Sequence, residues 1–171
     1  MKKITILTYL FLIFACFIST AQTTVYVSAS GGGDGTSESS PLGNFGNALN
    51  QITSEGDKLV IIGTISTQGI NLTSKSFAFT IEGLDASSTF EGDGGTSRLF
   101  TINGATSADV TLKNLTFSSF NTTLAGGGVF YNNNAGATAT FENCTFTGNS
   151  VTNNNGGGAI FSANGTLHII E

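Results

Sequence analysis

A stacked all-β solenoid is the fold class this chain predicts, on three observations. Two segments repeat one unit: positions 110–129 read VTLKNLTFSSFNTTLAGGGV, and positions 139–159 read ATFENCTFTGNSVTNNNGGGA. Leu112, Asn114, Leu115 and Phe117 thus recur as Phe141, Asn143, Cys144 and Phe146 at a constant offset of 29, which becomes 30 at the glycine triplets Gly126–Gly128 and Gly156–Gly158. The apolar residues fall in short alternating bursts divided by turn residues. A unit of this length without helical periodicity cannot bury its own apolar face, so successive units stack.

The first element is a leader. Lys2 and Lys3 precede an apolar run from Ile4 to Ile18 and then Ser19-Thr20-Ala21, the pattern of a secretory signal peptide over 1–21, cleaved after Ala21. The run is short for a membrane span and no stop-transfer flank follows Gln22, so the mature chain is expected to carry no transmembrane helix. Ile13-Phe14-Ala15-Cys16 has the outline of a lipoprotein box, but bulky Phe14 and the apolar residues after Cys16 oppose it. Without Lys2 and Lys3, four basic residues face eleven acidic ones, a net charge of −7. That balance disfavours nucleic acid and anionic membranes as partners. Cys144 is the single cysteine left after cleavage, so no intramolecular disulfide is available.

Residues 22–57 read as an N-terminal cap. Val25-Tyr26-Val27 forms a short strand, Ser28 to Pro41 a Gly/Ser loop, and Leu42 to Ile52 a short helix on Phe45, Leu49 and Ile52, started by Gly43 or Asn44 and ended by Gly56. Residues 58–171 read as solenoid coils, opening on the buried strand Leu59–Ile62. Further strands are predicted at 70–72, 77–81, 99–102, 110–117, 129–131, 139–146, 159–161 and 167–170. The chain must bend at Asn114 and Asn143, with Gly83 at the same corner one unit earlier; asparagine tolerates left-handed backbone angles there. Stacked about 4.8 Å apart, these asparagines would form an amide ladder. The same alignment places Glu82, Lys113, Glu142 and Glu171 in one outward column. It also matches positions 138–142 with 167–171, so the sequence stops in mid-strand, as a C-terminally truncated solenoid would.

Two resemblances can then be named. The strand VYVSASGGGDGT, a small helix and the run from Gly56-Asp57 to Ile61 resemble the cap of secreted right-handed parallel β-helices. Phe146-Thr147-Gly148-Asn149 with Gly157-Gly158-Ala159-Ile160 resembles the FxxN and GGA[ILV] pair of the polymorphic outer membrane protein repeat of bacterial surface autotransporters. Phe117-Ser118-Ser119-Phe120 and Gly127-Gly128-Val129-Phe130 form a degenerate second copy. The resemblance spans about 60 residues, Val110 to Glu171. It implies a pectin-lyase-like right-handed parallel β-helix passenger, secreted or held at the outer membrane surface and linked to adhesion. The fixed positions Asn114, Asn143, Phe117, Phe146, Asn149, Gly127, Gly128, Gly157 and Gly158 are structural, and no catalytic residue is carried over.

Chemistry-bearing clusters are sparse. Glu91 and Asp93 in Glu91-Gly92-Asp93-Gly94, with Asp85 and Arg98 nearby, are the candidate metal or substrate ligands, since a lyase or glycosidase needs converging carboxylates. They sit in a Gly/Ser-rich excursion between strands, where charges are normally solvated. Gly31-Gly32-Gly33-Asp34-Gly35 lacks the following Lys and helix of a phosphate loop. His168 has no partner at ligand spacing, and Cys144, aligned with Leu115, reads as a small core residue. The Asn-x-Thr triplets at Asn71, Asn121 and Asn164 are expected by chance in a chain this rich in Asn and Thr. No cofactor is called for. The functional expectation is a structural or adhesive passenger binding carbohydrate or a cell surface through extended positions such as Thr111, Thr116, Thr145 and Thr147. The competing expectation is the N-terminal part of a polysaccharide lyase or glycosidase with catalytic coils beyond residue 171. An antiparallel sandwich that binds a partner fits the strand spacing but not the glycine triplets and corner asparagines at fixed offset.

Overall fold

In the computed structural model, residues 21–104, 108–153 and 156–171 are described; the leader expected over 1–21 lies, but for Ala21, outside them. The chain is an all-β solenoid of about four turns in which every strand pairing is parallel. It winds as a right-handed β-helix, the hand that right-twisted parallel strands favour.

The strands are β1 (Thr24–Ser28), β2 (Lys58–Ile62), β3 (Thr64–Ser66), β4 (Ile70–Asn71), β5 (Phe79–Gly83), β6 (Thr89–Glu91), β7 (Phe100–Asn103) and β8 (Val110–Lys113). They continue with β9 (Thr116–Ser118), β10 (Asn121–Thr122), β11 (Phe130–Asn133), β12 (Thr138–Glu142), β13 (Thr145–Thr147), β14 (Ser150–Val151), β15 (Ile160–Ser162) and β16 (Thr166–Ile170). The one helix among the described residues is α1 (Phe45–Asn50). Three main sheets wrap the core, in the orders β1-β2-β5-β8-β12-β16, β3-β6-β9-β13 and β4-β7-β11-β15, and β10 pairs β14 in a small fourth ladder.

Each coil contributes one inward residue in two, as the strand pleat requires. Phe90, Phe117 and Phe146 stack ring on ring at 5.8 and 5.1 Å, while Phe100 and Phe130 stand edge-on at 6.4 Å across the core. Burying Phe90, Phe100, Phe117, Phe130 and Phe141 completely supplies the apolar area that drives this stacking, each ring contributing on the order of 2–3 kcal/mol.

Helix α1 closes one end of that core. Asn44 is its N-cap, the side chain accepting from the Asn47 amide at 2.9 Å, and the helix ends at Gln51 rather than at Gly56. Gly56, at φ 82°, instead makes the turn into β2. Phe45 sits 5.2 Å from Phe90 and 6.1 Å from Phe100, covering rings that would otherwise meet water. Asp57, fully buried, ties this segment down: its carboxylate accepts from the amides of Thr23, Thr53 and Ser54 at 2.8–2.9 Å. Burial by itself would raise its pKa, but those donors and the nearby Lys75 charge hold the carboxyl below the usual value. Lys75 donates to the Leu49 and Ile52 carbonyls at 2.9 and 2.6 Å, satisfying acceptors at the negative end of the helix.

Two sequence expectations need correction, and Gly83 holds its expected corner for a reason of its own. Glu91 belongs to strand β6, in register with Ser66 and Ser118, and not to a loop excursion. Gly83 follows Glu82 into the position level with Asn114 but lacks a left-handed φ. It is glycine because a Cβ would stand 2.1 Å from the Asn114 carbonyl oxygen. At the last coil β12 pairs with β16 at an offset of 28, Glu142 facing Ile170 and Thr140 facing His168, so Glu171 does not complete the outward column. The period-2 rule explains the slip: this register turns Leu167 and Ile169 inward and His168 outward, where the 29-residue alignment would have put His168 on the core face.

Candidate functional site

Corners decide where the outer faces lie. Asn114 and Asn143 adopt φ 53° and 50° and form the expected ladder, the Asn143 amide donating to Asn114 Oδ1 at 2.8 Å. At the second corner Ser119 takes φ 61° in the degenerate copy, and Gly148 takes φ 63° in the full one. Asn149 of the FxxN motif reaches back one coil, accepting from the Phe120 amide and donating to the Phe117 carbonyl, both at 3.0 Å. Its side chain therefore gives the Phe120 amide an acceptor at the bend and adds a second donor to the Phe117 carbonyl of β9. The earlier copy needs no asparagine because Phe120 turns into the core, 1% exposed.

The glycine triplets are packing devices. A Cβ on Gly127 would lie 2.4 Å from the Ala159 and Phe130 carbonyl oxygens, and one on Gly157 would lie 2.3 Å from the Ile160 oxygen. Gly128 bonds to Gly158 and Leu99 along the stack. Only a hydrogen side chain permits this backbone approach.

Between these corners the sheet β3-β6-β9-β13 presents two outward columns. Thr64, Thr89, Thr116 and Thr145 are in register in one; Ser66, Glu91, Ser118 and Thr147 are in register in the other. The alternating partners Ile65, Phe90, Phe117 and Phe146 turn inward. Thr80, Thr111 and Thr140 form a third column on the six-stranded sheet. Next to it the Lys113–Glu142 pair forms at 2.6 Å, while Glu82 pairs with Lys58 at 2.7 Å and not with Lys113. The hydrogen bond and charge of Glu142 raise the Lys113 pKa. Both members are more than one-third exposed, at 35% and 37%, so solvent screening leaves this pair little net contribution to stability.

A cleft of about 320 Å³ opens at the Asn corner, lined by Leu84, Asp85, Asn114, Thr116, Asn143 and Thr145 among others. Its wall is the insertion 84–88, which only this coil carries between the two sheets. Asp85 Oδ1 accepts from the Ser87 hydroxyl and amide at 2.6 and 2.8 Å, and these bonds hold the carboxyl below its ordinary pKa. A second cleft, about 310 Å³, is apolar and runs along Phe141, Cys144, Phe146, Ile160 and Ile169, with Ile169 and Ile170 well exposed.

The sequence-predicted ligand candidates do not converge. Asp85 serves the insertion loop, Asp93 accepts from the Gly95 amide at 3.0 Å, and Glu91 stands in the second hydroxyl column. Among the described residues no group of three or more His, Cys, Asp and Glu side chains is placed to hold a metal ion. Arg98 is buried, donating to the Ala125 carbonyl at 2.8 Å and lying 4.2 Å over the Tyr131 ring; Tyr131 in turn stacks on Phe161 at 5.9 Å. Cys144 packs against the core, half-buried, and burial raises its thiol pKa. Several members of the site escaped the sequence reading, Ser66 and Ser118 of the second column among them. Thr64, Thr89 and the Leu84–Ser88 wall lie in coils whose lengths differ from the 29-residue unit, although each column strand is a Thr-apolar-polar triplet that a search for that pattern would find.

Comparison with protein families, with curated proteins and with solved structures finds no match. The fold and the site define a parallel β-helix with polar, hydroxyl-bearing outer faces. No helix among the described residues is long and apolar enough to cross a membrane.

Proposed function

We propose that the chain is a secreted or surface-exposed β-helix, associated with the bacterial outer membrane, that acts as a structural or adhesive passenger by binding carbohydrate or a cell surface. The observation that carries this reading is the pair of outward columns on β3-β6-β9-β13, seven hydroxyls and one carboxylate held in register across four coils. A rigid sheet spaces such groups about 4.8 Å apart along the axis, so an elongated polar ligand meets the same donors and acceptors at every rung without ordering a loop. The leader at 1–21, the acidic balance and the likeness to surface autotransporter repeats support export and a place at the surface. A glycan array and a cell-adhesion assay with the chain test the reading: retention on at least one glycan class or cell surface, lost when column threonines are replaced by Glu, is expected. No retention on any of them contradicts it.

A further inference from the structure

The corner cleft differs from the flat columns in having a wall, an apolar edge and a charge of one sign. On its floor the pair Asn–Thr occurs twice, as Asn114 with Thr116 and as Asn143 with Thr145, one strand spacing apart. The ladder uses Asn143 Nδ2 and Asn114 Oδ1, which leaves Asn114 Nδ2 as a donor and Asn143 Oδ1 as an acceptor facing outward. The hydroxyls of Thr116 and Thr145 add groups that both donate and accept. The wall supplies the second carboxylate oxygen of Asp85, since the first is occupied by Ser87. Beside it stands Leu84, 38% exposed, an apolar surface flanking the polar groups.

Charge narrows what this cleft accepts. No Lys or Arg lines it, and the nearest in sequence, Lys113, is engaged by Glu142. An ionised Asp85 in a chain of net charge −5 repels an anionic polymer and leaves its carboxylate bare. Vicinal hydroxyls of a sugar, by contrast, suit a carboxylate and an amide acting together, and the C–H face of a pyranose suits Leu84. A pyranose unit is also comparable in length to one strand spacing, so two successive units can meet the two Asn–Thr pairs.

We propose that this cleft, built by Leu84, Asp85, Asn114, Thr116, Asn143 and Thr145, is a binding site for a neutral glycan chain lying along the solenoid axis. The inference rests on the proposed carbohydrate-binding function and assigns to it a place and a ligand class. The test is NMR titration of the isotope-labelled chain with cellohexaose, xylohexaose and mannohexaose as neutral probes and hexagalacturonate as the acidic one. At least one neutral hexaose is expected to shift the side-chain amides of Asn114 and Asn143 and the backbone amides of 84–86, with hexagalacturonate leaving them unmoved. The double variant Thr116→Val with Thr145→Val keeps the β-branched shape and removes both hydroxyls. It is expected to weaken that binding about fivefold or more while the signals of the six-stranded sheet stay in place. Shifts confined to other faces would overturn the cleft while leaving carbohydrate binding intact, and equal binding of hexagalacturonate in the cleft would overturn the neutral assignment. Silence of all four probes on every face would contradict both.

Discussion

Asn143 and Asn149 are nearly adjacent yet do different work, and substitutions separate the two. Asn143 is conformational: Asn143→Ala loses the ladder bond and leaves at φ 50° a residue without the amide that makes the left-handed region tolerable for asparagine, costing about 1–2 kcal/mol, whereas Asn143→Gly should cost less because the backbone angle is then free. Asn149 is a bonding partner. Asn149→Ala strands the Phe120 amide, so a loss of about 1–3 kcal/mol is expected in urea unfolding, and Asn149→Gly should rescue nothing. Asp57 adds a pH signature. Its pKa is lower folded than unfolded, so its contribution is fully present above the unfolded value near 4 and is lost as pH falls through the lower folded value. Thermal melts should show Asp57→Asn flattening the acid limb of the stability curve. Corner asparagines were legible in the sequence because two copies aligned. The partners of Asn149 were not, since they belong to the preceding coil and no local pattern names them.

Strands here are short, two to five residues, and none is stable alone; each is held by the coils above and below. The Phe90–Phe117–Phe146 stack makes this explicit. Phe117→Ala removes the middle ring, which touches both neighbours, and is expected to cost about 3–5 kcal/mol in chemical unfolding, while Phe146→Ala, at the less buried end, should cost less. Lys113→Met, on the outer column, should leave the unfolding midpoint nearly unchanged, since the exposed ion pair it breaks is screened by solvent. Element positions were readable wherever apolar alternation was strong, as in 110–117 and 139–146. Strands β3, β6, β10 and β14 were missed because two or three residues carry almost no periodicity, and their identity comes from neighbours in register. The β16 register was misplaced for a related reason: the copy was aligned on a constant unit length, whereas Leu167 packs against the core and stands level with Ala139, an offset of 28.

At the scale of the molecule, the solenoid divides labour between inside and outside. Inward positions are committed to phenylalanine and aliphatic stacking, corners to asparagine and glycine, and the remaining outward columns are left polar and in register. Fold class followed from two repeat copies and the absence of helical periodicity. The cleft did not, because its wall, the insertion 84–88, interrupts the repeat and reads locally as a turn. The central claim is parallel, in-register stacking of coils. Interstrand NOEs in a labelled sample test it most directly. Contacts linking Leu112 to Phe141, Thr111 to Thr140 and Phe117 to Phe146, with no short Hα–Hα contacts between these strands, are predicted. Strong cross-strand Hα–Hα contacts, the mark of antiparallel pairing, would contradict it.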